Sequence, residues 1–506
     1  MILGDTKTEG LPATTLDDVF RRAAARRPGA IALADPPNRE SFSDGPPRHL
    51  TYAEAARVVS AIAARLRRLG LPTDAVVGIQ LPNTIESVLT ILGVLRAGLI
   101  ALPLPLLWRR ADMARALGQA GARAMITTSR IGDFEACATA MQVAADIFPI
   151  RHVSSFGRNL PDGVIALDQL LQDAAPELPP EIERHGNPAA HVAVVTFDVT
   201  PEGVISVARN HAELIAGGLA TLLEGRIEPD ARLLGYCATG SFAGLALTMM
   251  PWLLSGGTLL LHHGFDPDAF AMQCREHCPD TVVVPGSLVP QLAEAGLLAH
   301  GGLQNVLAAW RAPERCLPSP AWQHFSAGLT DIHIFGEVGM LGSRRGADGL
   351  AVPLPPHAVM APGGSANAVP VADIARTAAG TLSLRGPMVP RHAFPPGAER
   401  LGPPRLKADP EGFVDTFYPC RLDRMSGAVT VTGPPPGIVS VGSYRFVLRE
   451  LEDLVRRADG GAFITALPDV LAGHRLAGIS SRSGDIGTTL AGLGVNPLVA
   501  DAFGAA

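Results

Sequence analysis

The stretch that decides the fold is residues 76–104, which read VVGIQLPNTIESVLTILGVLRAGLIALPL. Its first part, Val76 to Leu81, and its last part, Leu99 to Leu104, are short and apolar, as buried strands are. Between them, Glu86 to Arg96 is typical of a helix, which is expected to end near Gly98. The stretch therefore predicts a strand–helix–strand unit whose strands are parallel and covered on both faces.

The same alternation of apolar strands and helices recurs along the chain. The other predicted strands are Ile31–Ala34, Ala124–Thr127, Val192–Thr196, Arg232–Tyr236, Thr258–His262, Thr281–Val284, Val306–Ala309 and Ile332–Phe335. Thr51 is predicted to cap a helix, because Glu54 follows it at the spacing of a capping box. The alternation predicts an α/β protein with parallel sheets. Proline and glycine then crowd residues 352–410, and a small separate unit is expected from Gly433, behind three consecutive prolines.

Composition narrows the classes of partner. The 506 residues are 47% hydrophobic and 18% charged, which predicts two or more globular domains. The net charge is −6 and no basic stripe is present, so nucleic acid is not an expected partner. Only two of the 42 basic residues are lysine, Lys7 and Lys407, which together with abundant alanine, glycine and proline suggests a bacterium with GC-rich codons. Glycine and proline divide the uncharged stretch from Leu233 to Leu261, which favours a buried helix and strand over a membrane span.

The cysteines point to a reducing compartment and to no metal. Six of them are scattered without a disulfide framework, and charged residues interrupt the N-terminus, so a cytoplasmic location without a signal peptide is expected. Cys274, His277 and Cys278 could share one face of a helix, as zinc ligands do. No fourth ligand follows at metal-site spacing, so ordinary helix packing is predicted for them.

Short motifs in a fixed order carry a family resemblance. In chain order they are TYAE at 51–54, VGIQLPN at 77–83, GVLRAG at 93–98, PL at 103–104, LSGG at 254–257, FDP at 265–267, TVVVP at 281–285, RGP at 385–387 and GSYR at 442–445. Together they resemble the adenylate-forming superfamily, which contains acyl-CoA synthetases, peptide-synthetase adenylation domains and luciferases.

That resemblance implies a fold and a reaction. The fold is a large N-terminal domain of packed α/β subdomains with a small β-barrel-like part, residues 1–432, and a small, shortened α+β C-terminal domain, residues 433–506. The reaction is an AMP-forming ligation, in which ATP and magnesium activate a carboxylate that is then transferred to coenzyme A or another thiol. The acyl and nucleotide sites are expected between the two domains.

The phosphate loop is the first place where the sequence departs from the family. The family has Thr-Ser-Gly-Thr-Thr-Gly-x-Pro-Lys-Gly after a strand, whereas residues 196–203 read TFDVTPEG. Thr196, Thr200 and Gly203 keep the register of the family's motif. Asp198, however, lies where the family has flexible glycines, and Glu202 occupies the position of the family's lysine. Two carboxylates repel a triphosphate, so an ordinary solvated turn is predicted here in place of a phosphate cradle.

The adenine and magnesium motif is altered as well. In the family's Tyr-Gly-x-Thr-Glu, the aromatic ring stacks on adenine and the glutamate helps to hold magnesium. Residues 335–339 read FGEVG, so Phe335 and Gly336 keep their positions while Gly339 replaces the glutamate. Glu337 lies two residues earlier and is expected to point elsewhere.

The remaining nucleotide motifs show the same loss. Where the family's Thr-Gly-Asp holds the ribose, the chain has Thr416 and, at the aspartate position, Tyr418. Three prolines at 434–436 stand at a hinge that rotates in the family, and no lysine follows Lys407. The phosphate loop, the adenine and magnesium motif, the ribose motif and the absent C-terminal lysine are four altered sites. Together they predict that adenylation is lost, and no catalytic residue can be assigned.

The acyl pocket is less altered. Ser241 and Gly244 lie at the start of the family's pocket helix, and Trp310 and Arg311 fall at its Gly-Gly-Ala-Pro wall. Trp310 and Arg311 either narrow that wall and meet a carboxylate or phosphate, or they fill an abandoned pocket. The sequence therefore predicts a pseudoenzyme that binds acyl-CoA, an acyl carrier protein or another partner. A divergent acid–CoA ligase and an acyltransferase that accepts activated acyl groups are the alternatives.

Overall fold

The computed structural model describes residues 1–3, 13–172, 182, 184–323, 326–362, 368–400, 402, 404–480 and 486–504. The strands are β1 Ile31–Ala34, β2 His49–Thr51, β3 Val76–Ile79, β4 Ile100–Pro103, β5 Ala124–Thr128, β6 His152–Phe156, β7 Ile165–Ala166, β8 Val192–Thr200, β9 Gly203–Asn210, β10 Arg232–Gly235, β11 Thr258–Leu261, β12 Thr281–Pro285, β13 Asn305–Trp310, β14 Gly328–Phe335, β15 Gly339–Arg344, β16 Ala358–Pro362, β17 Ala368–Arg376, β18 Thr381–Arg385, β19 Val414–Leu422, β20 Val429–Val431, β21 Ile438–Val441, β22 Tyr444–Val447, β23 Phe463–Asp469 and β24 Gly473–Ile479. The helices are α1 Leu16–Arg26, α2 Tyr52–Arg68, α3 Ile85–Arg96, α4 Arg110–Ala120, α5 Ala136–Asp146, α6 His211–Glu224, α7 Phe242–Gly244, α8 Met250–Ser255, α9 Pro267–His277, α10 Val289–Glu294, α11 Leu448–Ala458, α12 Ile486–Gly492 and α13 Pro497–Ala500. A π-helical turn, Leu245–Met249, joins α7 to α8.

Two large sheets form the body of the protein. One has the order β15-β14-β13-β12-β10-β11-β1-β2 and the other β7-β6-β5-β3-β4-β8-β9. Their inner strands are parallel, whereas β2, β15 and β9 pair antiparallel at the edges. The predicted α/β class is therefore confirmed, and the predicted unit at residues 76–104 is β3, α3 and β4.

The main hydrophobic core joins both sheets through their covering helices. It includes apolar residues of α1, α2 and α3 together with strand residues from each sheet. Every residue of α3 is buried, as expected of a helix that is apolar almost all round. The negative charge of Glu86 in this core is compensated by Arg39, because the Arg39 Nη2 atom lies 2.7 Å from the Glu86 Oε1 atom. The capping box of Thr51 and Glu54 is present as predicted.

Two smaller antiparallel sheets complete the fold. Strands β16 to β20 form a five-stranded sheet, and the order β22-β21-β24-β23 forms a four-stranded one. The four-stranded sheet packs with α11, α12 and α13 around its own core, whose members all fall between residues 439 and 503. The division of the chain at residue 433 remains a prediction.

Two sequence predictions concern membranes and metals. Among the described residues, no helix is long and apolar enough to cross a membrane. Residues 242–255 instead form the buried helical segment α7 to α8, followed by β11. In the same part of the chain, no group of three or more His, Cys, Asp or Glu side chains is placed to hold a metal ion.

Candidate ligand-binding site

The altered phosphate-loop segment is a tight hairpin. Strand β8 continues to Thr200 and pairs antiparallel with β9, so that Pro201 and Glu202 form a two-residue turn. Gly203 has φ +125°, a value that side chains rarely adopt. The Thr200 hydroxyl donates to the Gly203 carbonyl at 2.9 Å and closes the turn. Glu202 is exposed and pairs with Lys407 at 3.4 Å, which is a surface contact.

Asp198 is a buried charged residue on strand β8 of this hairpin. One carboxylate oxygen lies 2.6 Å from Nη1 of Arg445, which comes from the C-terminal four-stranded sheet. The other accepts the backbone N–H of Glu337 at 2.9 Å. Gly336 has φ +57°, and a Cβ there would collide with both Asp198 and Arg445. The ion pair therefore depends on a glycine at this turn.

Glu337 turns away from the ion pair into the interior. Its carboxylate accepts the backbone N–H of Phe242 at 2.7 Å, at the start of α7. Burial, the largest cause, raises the pKa of Glu337, while nearby Arg209 opposes that shift. Arg209 is itself buried, donates to the carbonyls of Glu337 and Val338, and lies 3.7 Å over the ring of Phe242. Burial lowers the pKa of Arg209 to about 10.

The adenine and ribose positions are packed against each other. Phe335 is fully buried at the end of β14, and its ring meets Tyr418 edge to face at 5.4 Å. Tyr418 is also buried, and its hydroxyl donates to the Arg311 carbonyl at 3.3 Å. Thr416 donates to the Leu382 carbonyl at 2.7 Å. Gly339 begins β15.

A cavity of about 800 Å³ lies between the β8–β9 hairpin, the segment before α7 and the C-terminal unit. Five of the predicted residues line it: Asp198, Ser241, Arg311, Gly336 and Glu337. The other predicted residues lie outside this lining: Thr196, Thr200, Glu202, Gly203, Gly244, Trp310, Phe335, Gly339, Thr416 and Tyr418.

The acyl-pocket candidates separate into wall and core. Arg311 donates from Nη2 to the Ser241 hydroxyl at 3.0 Å, and that hydroxyl also caps α7 by accepting the Gly244 N–H at 3.2 Å. Gly244 packs so closely on the Ala238 carbonyl that no Cβ would fit. Trp310, in contrast, is buried in a core cluster and donates its indole N–H to Asp331 at 2.7 Å.

The C-terminal unit contacts this region at several points besides the ion pair. The Leu107 N–H donates to the Tyr444 hydroxyl at 3.0 Å, and the Ala111 N–H donates to the Gly494 carbonyl at 2.9 Å. The Ser287 hydroxyl donates to the Leu471 carbonyl at 2.8 Å. Of these residues, Leu107, Ala111 and Tyr444 line the cavity, so the C-terminal unit forms part of its wall.

Sequence reasoning did not select several residues that shape the site. Arg445 and Tyr444 belong to the GSYR motif. Nothing in that motif indicated that Arg445 pairs with Asp198, which lies 247 residues earlier in the chain. Tyr236 and Arg109 line the cavity without any motif of their own. Arg209 belongs to no motif either, although an arginine inside the apolar strand β9 is a signal of a buried contact.

Comparisons with known proteins bear on this site. The model of the family described as "AMP-binding enzyme" matches residues 20–336. The chain is similar to 2-hydroxy-7-methoxy-5-methyl-1-naphthoate–CoA ligase of Streptomyces carzinostaticus, with 30% identity over 52% of this chain and 47% of the relative. It is also similar to salicyl-AMP ligase/salicyl-S-ArCP synthetase of Mycobacterium tuberculosis, with 28% identity over 54% and 46%. The matched part thus spans about half the length of these curated relatives.

Solved structures share the fold over nearly the whole chain. Amide bond synthetase McbA from Marinactinospora thermotolerans matches with a TM-score of 0.71 at 19% identity, over 96% of this chain and 94% of that chain. The apo structure of Mycobacterium smegmatis MbtA matches with a TM-score of 0.65 at 20% identity, over 97% and 91%. At these identities the likeness concerns the fold alone.

Proposed function

Because the chain belongs to the AMP-binding enzyme family, we propose that it retains the family's fold and ligand cavity but does not form acyl adenylates. It acts instead as a protein that binds an acyl or aryl group without ATP. The observation that carries this proposal is the buried ion pair between Asp198 and Arg445, which occupies the segment where the family binds phosphates.

The hairpin does not fit a triphosphate. A phosphate cradle needs backbone N–H groups that are free to point at the anion. In residues 196–203 the two strands pair with each other up to the Thr200–Gly203 step. The acidic side chain of Asp198 faces the cavity beside that ladder. An incoming triphosphate would meet a carboxylate and would have to displace Arg445 from it.

Magnesium and the nucleoside fit no better. Asp198 is already bonded to Arg445 and to the Glu337 N–H, and the Glu337 carboxylate accepts the N–H of Phe242. Tyr418, at the ribose position, packs against Phe335, at the adenine position. These contacts favour a filled nucleotide region, so no reaction step through ATP is assigned to this chain.

The cavity and the relatives favour an aromatic ligand. Two of the relatives are named for naphthoate and salicyl groups. Trp108 and Phe197 line the cavity of this chain with ring centroids 5.4 Å apart. One relative is named for a carrier-protein product and one similar structure is a fused adenylation–carrier di-domain, so an acyl carrier protein is the proposed macromolecular partner.

The test is calorimetric titration of the purified protein with magnesium and ATP, and separately with an aromatic acid and its CoA thioester. We expect no ATP heat and measurable binding of at least one aryl ligand. Glu202→Lys restores the family's lysine in an exposed turn, and we expect it to leave the ATP result unchanged because the ion pair persists. Micromolar ATP binding by the wild-type protein would refute the proposal and favour a divergent acid–CoA ligase.

A control separates a lost site from a misfolded sample. Lys407→Met removes the exposed partner of Glu202 at the same surface, outside the cavity. Exposed pairs of this kind contribute about 0–1 kcal/mol, so its thermal midpoint and aryl-ligand affinity should match the wild type. An acyltransferase would be revealed by loss of CoA from the aryl thioester when an amine or alcohol acceptor is present.

A further inference from the structure

Glu314 places a carboxylate with a buried oxygen where the C-terminal unit meets the rest of the protein. It belongs to the short 3₁₀ helix Pro313–Arg315, which follows β13. Its Oε2 atom is shielded from solvent and has no hydrogen-bond partner in the described part of the chain. An unpartnered buried oxygen of this kind favours the protonated acid over the anion, because the anion is poorly solvated there.

The charged and titratable groups around Glu314 come from both sides of the contact. Arg315, its neighbour in the 3₁₀ helix, donates to a backbone carbonyl of the C-terminal unit. Arg445 on β22 and His474 on β24 also lie close enough to act on the charge of Glu314. The fourth group is Tyr418 on β19, which stays neutral near neutral pH because burial raises its pKa to about 12. Two of the four groups belong to the C-terminal unit, so undocking of that unit changes the surroundings of Glu314.

The nearby cations have partners other than Glu314. Arg445 pairs with Asp198 at 2.6 Å, and Glu337 is a further acid that acts on the same guanidinium. Nδ1 of His474 lies 3.3 Å from a backbone carbonyl of β21. A single guanidinium thus faces three carboxylates, and Glu314 is the one that crosses the contact without an ion pair among the described residues.

The protonation of Glu314 is therefore linked to docking. Burial, the largest cause, raises the pKa of Glu314 above its ordinary value of 4.5, while Arg315, His474 and Arg445 oppose that shift. Undocking exposes the carboxyl to water and returns its pKa toward the ordinary value. The docked state then binds the proton more tightly than the undocked state. Its stabilisation by the neutral acid is complete below about pH 4.5 and is lost as the pH rises through the raised pKa.

We propose that Glu314 is a proton-operated latch, which lets the C-terminal unit dock when it is protonated and favours undocking when it is ionised. The C-terminal unit supplies part of the cavity wall, including Tyr444 and Arg445, so the latch controls access to the cavity. The inference goes beyond the proposed function, because docking is a property of the protein without any ligand.

The experiment measures hydrogen–deuterium exchange at the Leu107 and Ala111 amides of the full chain, which donate to the C-terminal unit, between about pH 4.5 and pH 8. Glu314→Gln keeps the shape of the side chain but cannot ionise. At each pH the exchange rate of the wild type is divided by that of the variant, which cancels the intrinsic pH dependence of exchange. We expect this ratio to rise by up to about ten-fold per pH unit, and to level off once the docked carboxyl has titrated.

Other titrating groups are separated by the design. His474 and Glu337 are present in both the wild type and Glu314→Gln, so pH dependence of their own cancels in the ratio. Glu450→Gln is the matched control, because Glu450 is an exposed acid at the same contact that pairs with Arg115 at 3.5 Å. Its carboxylate is solvated whether or not the unit is docked, so the corresponding ratio should not change with pH.

Three outcomes would overturn the inference: a ratio for Glu314→Gln that is constant with pH, a ratio that falls as the pH rises, or an equal rise for Glu450→Gln. A second measurement uses the wild type alone and so does not depend on the folding of a variant. Its protection at Leu107 and Ala111, corrected for the intrinsic exchange rate, should fall as the pH rises above about 4.5, and constant protection would contradict the latch. ATP binding, measured separately, would refute the proposed function and leave this result unaffected.

Discussion

Breaking the ion pair between Asp198 and Arg445 is predicted to release the C-terminal unit from the hairpin. The two groups are 2.6 Å apart, and their side chains are 6% and 14% exposed, respectively. Removing one partner of a buried pair leaves an uncompensated charge and costs about 3–5 kcal/mol. Asp198→Asn and Arg445→Met should therefore each lower the ratio of docked to undocked protein by about two to four orders of magnitude.

The remaining contacts decide how far the unit opens. Two exposed contacts, from Arg315 to the Val470 carbonyl and from Arg115 to Glu450, join the C-terminal unit to the rest of the protein. Three neutral hydrogen bonds hold the same interface, from Leu107, Ala111 and Ser287 to the C-terminal unit. Each contributes about 0.5–1.5 kcal/mol, so together they are comparable to the cost of the uncompensated charge. The undocked state should become populated in each single variant without complete separation of the unit.

Hydrogen–deuterium exchange at the Leu107 and Ala111 amides measures this opening, because both N–H groups donate to the C-terminal unit. We expect faster exchange in each single variant and partial recovery in the double variant, which buries no unpaired charge. Arg115→Met, which breaks an exposed pair with Glu450 at the same interface, is the control and should exchange like the wild type. Single variants that exchange at the wild-type rate, or a double variant worse than both, would refute the reasoning.

Three further predictions concern single positions. Gly336→Ala should open the same interface, measured by the same exchange experiment, since a Cβ there collides with the ion pair; an unchanged rate would count against this. His211 is buried, with a pKa lowered to about 3, so its neutral form contributes stability that is complete above pH 6.5 and lost as the pH falls toward 3. As the pH falls from 6.5 toward 3, the unfolding free energy of the wild type minus that of His211→Gln should therefore fall by about 1.4 kcal/mol per pH unit, as read from urea midpoints. A difference that does not change with pH would contradict this prediction. Cys278 is the exposed cysteine among the six, so a thiol reagent should label one site rapidly and six after denaturation, and Cys278→Ser should abolish the rapid phase; rapid labelling of that variant would disprove it.

The fold was predictable where local composition alone determines an element. Residues 76–104 are apolar in blocks of strand and helix length, and the structure places β3, α3 and β4 there. Strand β8 was predicted to end at Thr196, yet it continues to Thr200. Asp198 resembles a loop residue when only its neighbours are considered. Its burial depends on Arg445, a distant partner that no local pattern indicates.

The site was predictable in its position but not in its contacts. Trp310 and Arg311 are adjacent, and the sequence assigned both to the pocket wall. Residues that follow one another at the end of a strand point to opposite faces, so Trp310 enters the core while Arg311 faces the cavity. Tyr236 and Tyr444 are brought together only by the docking of the C-terminal unit. Tertiary packing therefore determines which side chains line the cavity together, which no single motif could indicate.

The altered positions depend on one another, which explains why restoring one family residue should not restore ATP binding. Arg445 pairs with Asp198 and lies 5.6 Å over the ring of Tyr418, whose edge meets Phe335. A nucleotide would have to separate a buried ion pair and displace an aromatic ring before making its own contacts. The first step alone costs about 3–5 kcal/mol, a loss of about two to four orders of magnitude in affinity. Of these side chains, Asp198 and Arg445 also line the cavity beside Arg311, so the ion pair that opposes the nucleotide also shapes that cavity.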